Sequence, residues 1–335
     1  MDNFRFDTIV LSGGGTKGIY TLGALHHYYE KGKYVPSEVT TYTGTSVGSA
    51  ISLLLVCGYL PIEIFKHIYL MDSFFDVRHD NISFLDVIKN VFKNVGLLSI
   101  DSFILKIENL IKVKLGNEIP TLERLYEITK KELICVATNV TERKVEYFDH
   151  KNHPKLKCTD AVKMSCSIPL MFQKIRYNNC YYVDGAMLNN FAVDYADKKT
   201  NKILGIYLPN IDPPSDEGFG GYLGHIIISM QDEMNRVRLR NIGDNVTIVV
   251  IYSEKNDGVT ELNISSNKKM RMFLDGIKAA KIKDTEEYIL VEGLENIQPV
   301  SEKFKFDPDH LYDKSDDNWD DVWNNDWDFD QPETD

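Results

Sequence analysis

Twice within the first 60 residues a short run of β-branched and apolar side chains ends in glycine and gives way to a helical pattern. No other feature constrains the fold as much. Thr8-Ile9-Val10-Leu11-Ser12 runs into Gly13-Gly14-Gly15-Thr16-Lys17-Gly18, after which Ile19, Leu22, Leu25, Tyr28 and Tyr29 recur at three- and four-residue intervals. Residues 39–43 are a second run of β-formers ending at Gly44, and residues 49–58 read as a second helix. Strands that alternate with helices pair in parallel and carry helices on both faces. The expected fold class is therefore α/β, three layers in the order α/β/α with a mostly parallel central sheet. Later strands are expected at 133–138, 181–183, 203–208 and 246–252, and long helices near 222–241 and 267–291.

The second glycine turn carries chemistry. Gly44-Thr45-Ser46-Val47-Gly48 fits G-x-S-x-G between a strand and a helix. There the turn must be tight enough to push the serine into a strained, exposed position, and side chains at the flanking glycines would collide with neighbouring backbone. The plainer reading is a small-residue turn that packs a helix closely on the sheet. The first turn, Gly13 to Gly18, also ends a strand and opens a helix, so several N–H groups can converge there beside the positive end of the helix. That is what an oxyanion hole needs. Gly13, Gly15 and Gly18 also satisfy the dinucleotide fingerprint G-x-G-x-x-G, but the second strand ends in Thr43-Gly44-Thr45-Ser46 rather than in the acidic residue that would hold a ribose. A Walker loop fails, because Ile19 and Tyr20 stand where Lys and Ser or Thr are required. A third element, Asp184-Gly185-Ala186, follows the strand Tyr181-Tyr182-Val183, and by itself reads equally as a common turn dipeptide.

Taken in order, Gly13–Gly18, Gly44–Gly48 and Asp184–Ala186 resemble the glycine loop, nucleophile turn and Asp-Gly motif of the patatin-like phospholipases. Ser165-Cys166-Ser167-Ile168-Pro169-Leu170-Met171-Phe172 is similar to the stretch that precedes the family's aspartate. The likeness runs from about residue 7 to about residue 208. Ala186 replaces a more usual glycine, and Ala192 stands where the family often has proline. The resemblance implies a phospholipase A-type acyl hydrolase with a Ser–Asp dyad. Ser46 would be the nucleophile and Asp184 its base, with Gly13, Gly14, Gly15 and Gly18 forming the oxyanion hole, Gly14 and Gly15 foremost. Gly44 and Gly48 would shape the turn, and Lys17 and Gly185 would support it. Lys17 would steady the loop or meet a lipid phosphate, or else be an exposed structural lysine. No cofactor and no metal are implied. Two alternatives stay open: an α/β-hydrolase esterase with a Ser-Asp-His triad, in which His225 is the natural late histidine, and a non-catalytic lipid- or nucleotide-binding module.

Composition sets the remaining bounds. At 335 residues and 43% hydrophobic, the chain can bury a full core. The net charge of −12 is concentrated at the end of the chain, where Asp307 to Asp335 holds twelve acidic residues and one lysine, Lys314. The rest is nearly neutral and lacks the basic excess that nucleic-acid binding needs. Five cysteines without close pairing argue against a disulfide framework or a zinc site. The start of the chain has no secretory pattern, and the longest apolar run, residues 50–57, is far shorter than the ~20 residues of a membrane span. A cytoplasmic protein touching membrane lipid only peripherally is expected. Large apolar side chains crowd residues 62–115 and are assigned to the core, with part available to cap an acyl site. The acyl hydrolase domain is placed at 1–300 and an acidic, disordered tail at 301–335. In that tail Trp319, Trp323 and Trp327 recur every four residues and suit docking to a protein partner.

Overall fold

β1 (Thr8–Leu11) leads through one 3-10 turn at Gly15–Lys17 into α1 (Gly18–Glu30), and β2 (Thr41–Thr45) leads through Ser46 into α2 (Val47–Val56). The computed structural model describes residues 4–71, 73, 96–209, 218–240, 242–253 and 264–285. β1 and β2 pair in parallel, Thr8 opposite Thr41 and Leu11 opposite Gly44, so both glycine turns leave the same end of the sheet. β9 (Ile203–Tyr207) and then β10 (Val246–Val250) extend the sheet beyond β1, and β4 (Glu132–Asn139) lies beyond β2, all in parallel. Three strands run antiparallel to their partners: β5 (Lys144–Phe148) and β8 (Cys180–Asp184) on β4, and β7 (Ile175–Tyr177) on β8. β3 (Gly96–Leu98) and β6 (Leu170–Phe172) form a small separate pair.

The side-chain pattern explains the three layers. Successive strand residues point to opposite faces. Ile9 and Leu11 of β1, with Leu204 and Ile206 of β9, enter the main core, whereas Val10 and Ile203 enter a second cluster with Phe191, Val193 and Ala196 on the other face. Both faces are thus apolar, as the uninterrupted hydrophobic strands require. α1 packs against α9 (Ser266–Thr285), where Gly23 and Gly276 let the backbones touch: a Cβ at Gly23 would lie 2.0 Å from Phe273 O, and one at Gly276 2.1 Å from Tyr20 O. α3 (Pro61–Leu70) and α4 (Asp101–Leu115) contribute Ile64, Phe65, Ile104, Ile107 and Ile111 to the core, as the apolar spacing of that segment predicts. α5 (Leu122–Thr129), α6 (Cys158–Ser165), α7 (Val193–Ala196) and α8 (Gly218–Leu239) complete the order.

β4 decides where the site forms. β5 occupies one edge of β4. On the other edge, β2 covers the first half, with Thr45 opposite Val136, and β8 covers the second half, with Asp184 opposite Ala137. β2 and β8 run toward each other along that edge and meet at neighbouring β4 residues, which brings Ser46 and Asp184 together.

Several expectations shift. The second strand is Thr41–Thr45 rather than 39–43, because Gly44 and Thr45 still hydrogen-bond in the parallel ladder with β4, and α2 accordingly begins at Val47. The end of the sequence-predicted helix beyond 285, the domain boundary at 300 and the tryptophan tail lie outside the described residues.

Candidate active site

Ser46 sits at the turn between β2 and α2 with φ 53° and ψ −130°, a left-handed backbone conformation that costs a non-glycine residue about 1–3 kcal/mol. The surroundings offset that cost. Its N–H donates to Ser165 Oγ at 2.9 Å, Ser165 Oγ donates to Val136 O at 2.6 Å, and Ser49 Oγ donates to Ser46 O at 2.6 Å. The flanking glycines are required by close approach. A Cβ at Gly44 would fall 2.3 Å from Gly48 O, and one at Gly48 2.5 Å from Leu11 O.

Asp184 ends β8 with 3% of its surface exposed. Ser46 Oγ donates to its Oδ2 at 2.6 Å, and Ala186 N–H donates to its Oδ1 at 2.8 Å. Burial pushes its pKa up to about 7, against the opposing pull of those two hydrogen bonds. A carboxylate so placed is a far better base at neutral pH than a solvated aspartate. Gly185 is fixed by space, since a Cβ there would sit 2.2 Å from Val136 O.

The glycine loop faces this pair, and its four glycines differ. Gly13 N–H donates to Asn190 Oδ1 at 3.0 Å and to Asn190 O at 3.2 Å, and Gly18 N–H is directed at Gly15 O and Thr16 O. Those two shape the loop, while the N–H groups of Gly14 and Gly15 are left as the candidate oxyanion donors. Gly13, Gly14 and Gly15 line one cavity with Ser46, Asp184, Ala186, Met187, Asn190 and Gln231. Gly18 holds α1 close to α2, because a Cβ would meet Val47 Cγ2 at 2.8 Å. Lys17 is 3% exposed, which corrects its reading as an exposed structural lysine: at the mouth of α1 its stem is packed behind the loop, 3.5 Å from where a Cβ on Gly14 would lie.

A second cavity opens from Ser46 and is almost wholly apolar. Val47, Ala50, Ile51 and Leu54 line it along α2, Ile64 and Ile68 along α3, and Phe103, Ile107 and Leu110 along α4. At 1.5 Å per residue, Leu54 lies about 12 Å along the helix axis from Ser46. The apolar side chains of 62–71 and 100–115 thus serve the core and this cavity together, while the part of that segment at 74–95 lies outside the described residues.

The direct Ser46–Asp184 hydrogen bond leaves no imidazole between them, and His225 lines neither cavity. The triad alternative therefore lacks its geometry. All five cysteines are free thiols, and the described residues hold no group of three His, Cys, Asp or Glu side chains suited to a metal ion. The β2 end that would carry a ribose-binding acid in a dinucleotide site carries Ser46 instead. The sequence does not mark Ser165 and Asn190 as site residues, yet the structure brings both to Ser46 and the glycine loop. The only signal for them was their place in the segments before and after Asp184.

The family model described as Patatin-like phospholipase matches residues 9–197. A protein of Invertebrate iridescent virus 6 named "Probable lipid hydrolase 463L" is 34% identical over 197 residues, which span 59% of this chain and 65% of the viral protein. An uncharacterized protein of Acanthamoeba polyphaga mimivirus is 26% identical over 290 residues, 83% of this chain and 93% of that protein. Among solved structures, VipD from Legionella pneumophila aligns over 83% of this chain and 66% of its own, with 17% identity and a TM-score of 0.48.

Proposed function

The chain belongs to the patatin-like phospholipase family, and from that premise we propose that it is a serine acyl hydrolase cleaving fatty acyl ester bonds of membrane lipids. The 2.6 Å contact between Ser46 Oγ and the buried Asp184 carboxylate carries this reading. Ser46 Oγ attacks the ester carbonyl as its proton passes to Asp184 Oδ2. The carbonyl oxygen becomes negative against the N–H groups of Gly14 and Gly15, beside the N-terminus of α2. The tetrahedral species collapses, the bond to the lipid alcohol breaks, and Asp184 returns the proton to that alcohol. Water then attacks the acyl-serine and gives its proton to Asp184; the bond between the acyl carbon and Ser46 Oγ breaks, Asp184 returns the proton to Oγ, and the fatty acid leaves. The apolar cavity along α2 holds the acyl chain, and Lys17 and Gly185 hold the loop and the Asp184 turn in place.

Peripheral contact with a lipid surface is supported by α8. Tyr222, Ile226 and Met230 stand exposed at four-residue spacing, while Gln231 of the same helix lines the Ser46 cavity. No helix among the described residues is long and apolar enough to cross a membrane. The five free thiols support a reducing, cytoplasmic setting. A hydrolase domain of about residues 1–300 and a docking role for the acidic tail with Trp319, Trp323 and Trp327 complete the proposal.

Ser46→Ala should abolish hydrolysis of phospholipid vesicles and of a soluble p-nitrophenyl ester, and a fluorophosphonate should label Ser46. His225→Ala should keep at least half of the wild-type turnover. A folded Ser46→Ala protein with wild-type turnover would remove Ser46 from the chemistry.

A further inference from the structure

The carboxamide of Asn190 stands at the catalytic pair without a role in the proton relay. It is 5% exposed and belongs to the wall of the cavity that contains Ser46, Asp184, Gly14 and Gly15. The backbone of Asn189 and Asn190 is held at two points: Thr45 Oγ1 donates to Asn189 O at 3.0 Å, and Gly13 N–H donates to Asn190 O at 3.2 Å. Its side chain is oriented by a group that can only donate. Gly13 N–H lies 3.0 Å from Oδ1, so the atom turned to Gly13 is the amide oxygen, which accepts, and the NH2 group keeps both of its donors. Nδ2 makes no hydrogen bond to another described residue. A methyl group added at Gly13 would touch Asn190 Oδ1 at 2.6 Å and Ser46 Cβ at 3.0 Å, so the carboxamide and the nucleophile flank the same glycine.

We infer that Asn190 is a further catalytic residue: its Nδ2 donates a hydrogen bond to the carbonyl oxygen of the ester as that oxygen becomes negative, beside the N–H groups of Gly14 and Gly15. The same side chain holds the loop through Oδ1, so the donor is oriented before substrate arrives and does not reorganise during the reaction. The effect is confined to the transition state, because the carbonyl oxygen of the bound ester is a weaker acceptor than the oxyanion. Nothing is transferred to or from Asn190. The inference rests on the proposed Ser46 chemistry.

Asn190→Ala and Asn190→Asp together test it on a soluble p-nitrophenyl ester. Loss of one oxyanion donor lowers kcat by about 10²- to 10³-fold, and both variants should fall in that range with KM within threefold of wild type. Affinity for an alkyl trifluoromethyl ketone, which adds to Ser46 as an oxyanion, should fall in parallel with kcat/KM. Binding of the uncleaved ester in a Ser46→Ala background should not change. A crystal structure of the Asn190→Ala protein should show Gly13 to Gly15 in place, because Asn190 O belongs to the backbone and still accepts from Gly13. An Asn190→Ala enzyme within threefold of wild-type kcat would overturn the inference. So would an Asn190→Asp enzyme with wild-type kcat, or a displaced glycine loop in the alanine variant; both outcomes reduce Asn190 to a positioning residue. If Ser46→Ala itself kept activity, the proposed function would fail first, which separates the two.

Discussion

Asp184→Asn should change stability and activity with opposite dependence on pH. In the folded protein the Asp184 pKa is pushed up from 3.8 to about 7, with burial as the first cause. The folded state therefore keeps a proton that the unfolded chain releases. Stability is greatest below 3.8, falls as pH rises through the window from 3.8 to 7, and levels off above it. At about 1.4 kcal/mol per unit of pKa, the full penalty above pH 7 is on the order of 4 kcal/mol, of which about 2–3 kcal/mol develops between pH 5 and pH 8. Asparagine does not titrate. It carries only a fixed offset: with Oδ1 accepting from Ala186 N–H, its NH2 group can donate to Ser46 Oγ, so the Ser46 hydroxyl changes from donor to acceptor in that contact. The variant should thus gain on wild type by about 2–3 kcal/mol between pH 5 and pH 8, whatever its offset at pH 5. Urea unfolding of both proteins at the two pH values measures this. Wild-type kcat/KM on a soluble ester should rise with pH and be about a hundredfold lower at pH 5 than on its plateau, since only the ionised carboxylate takes the Ser46 proton. A pH-independent stability difference, together with a flat activity profile from pH 5 to pH 8, would refute the assignment of a raised pKa to the base.

Two further outcomes follow from the packing around Ser46. Ser165→Ala leaves the N–H of the strained Ser46 without its acceptor, and should lower the urea midpoint by the equivalent of about 1–3 kcal/mol at unchanged m-value, with kcat falling more than KM; an unchanged midpoint would show that the turn does not depend on this bond. Leu54→Trp fills the far end of the apolar cavity, so turnover of a butyryl ester should stay within about twofold while a palmitoyl ester loses at least about tenfold, at a packing cost of about 1–3 kcal/mol; equal loss on both chain lengths would place the acyl chain elsewhere.

The elements that read clearly in the sequence are those whose signal lies between chain neighbours. The runs Ile9-Val10-Leu11 of β1 and Ile203-Leu204 of β9 announce strands buried on both faces, and glycine spacing around Ser46 announces a turn where backbones touch. Other elements carry little local signal. β6 and β7 are three residues each, too short for periodicity, and β5 has one buried residue in five. The end of β2 is not legible locally: Gly44 reads as a strand terminator, whereas pairing opposite Cys135 holds it in the ladder. The charged end of Lys17 gave no hint that the loop and α1 would bury it.

By itself, the sequence determined the α/β class, the two glycine turns, and the identity of Ser46 and Asp184 as candidates, because each follows from residue types a few positions apart. Only the tertiary structure decided that these two residues, 138 apart in the chain, would share a hydrogen bond. It also decided which loop glycines keep their N–H groups available, that Asn190 shares a cavity with Ser46, and that burial would raise the Asp184 pKa. The physical reason is the register of β4: β2 and β8 arrive from opposite directions at Val136 and Ala137, and pairing with a distant strand sets what meets at that point.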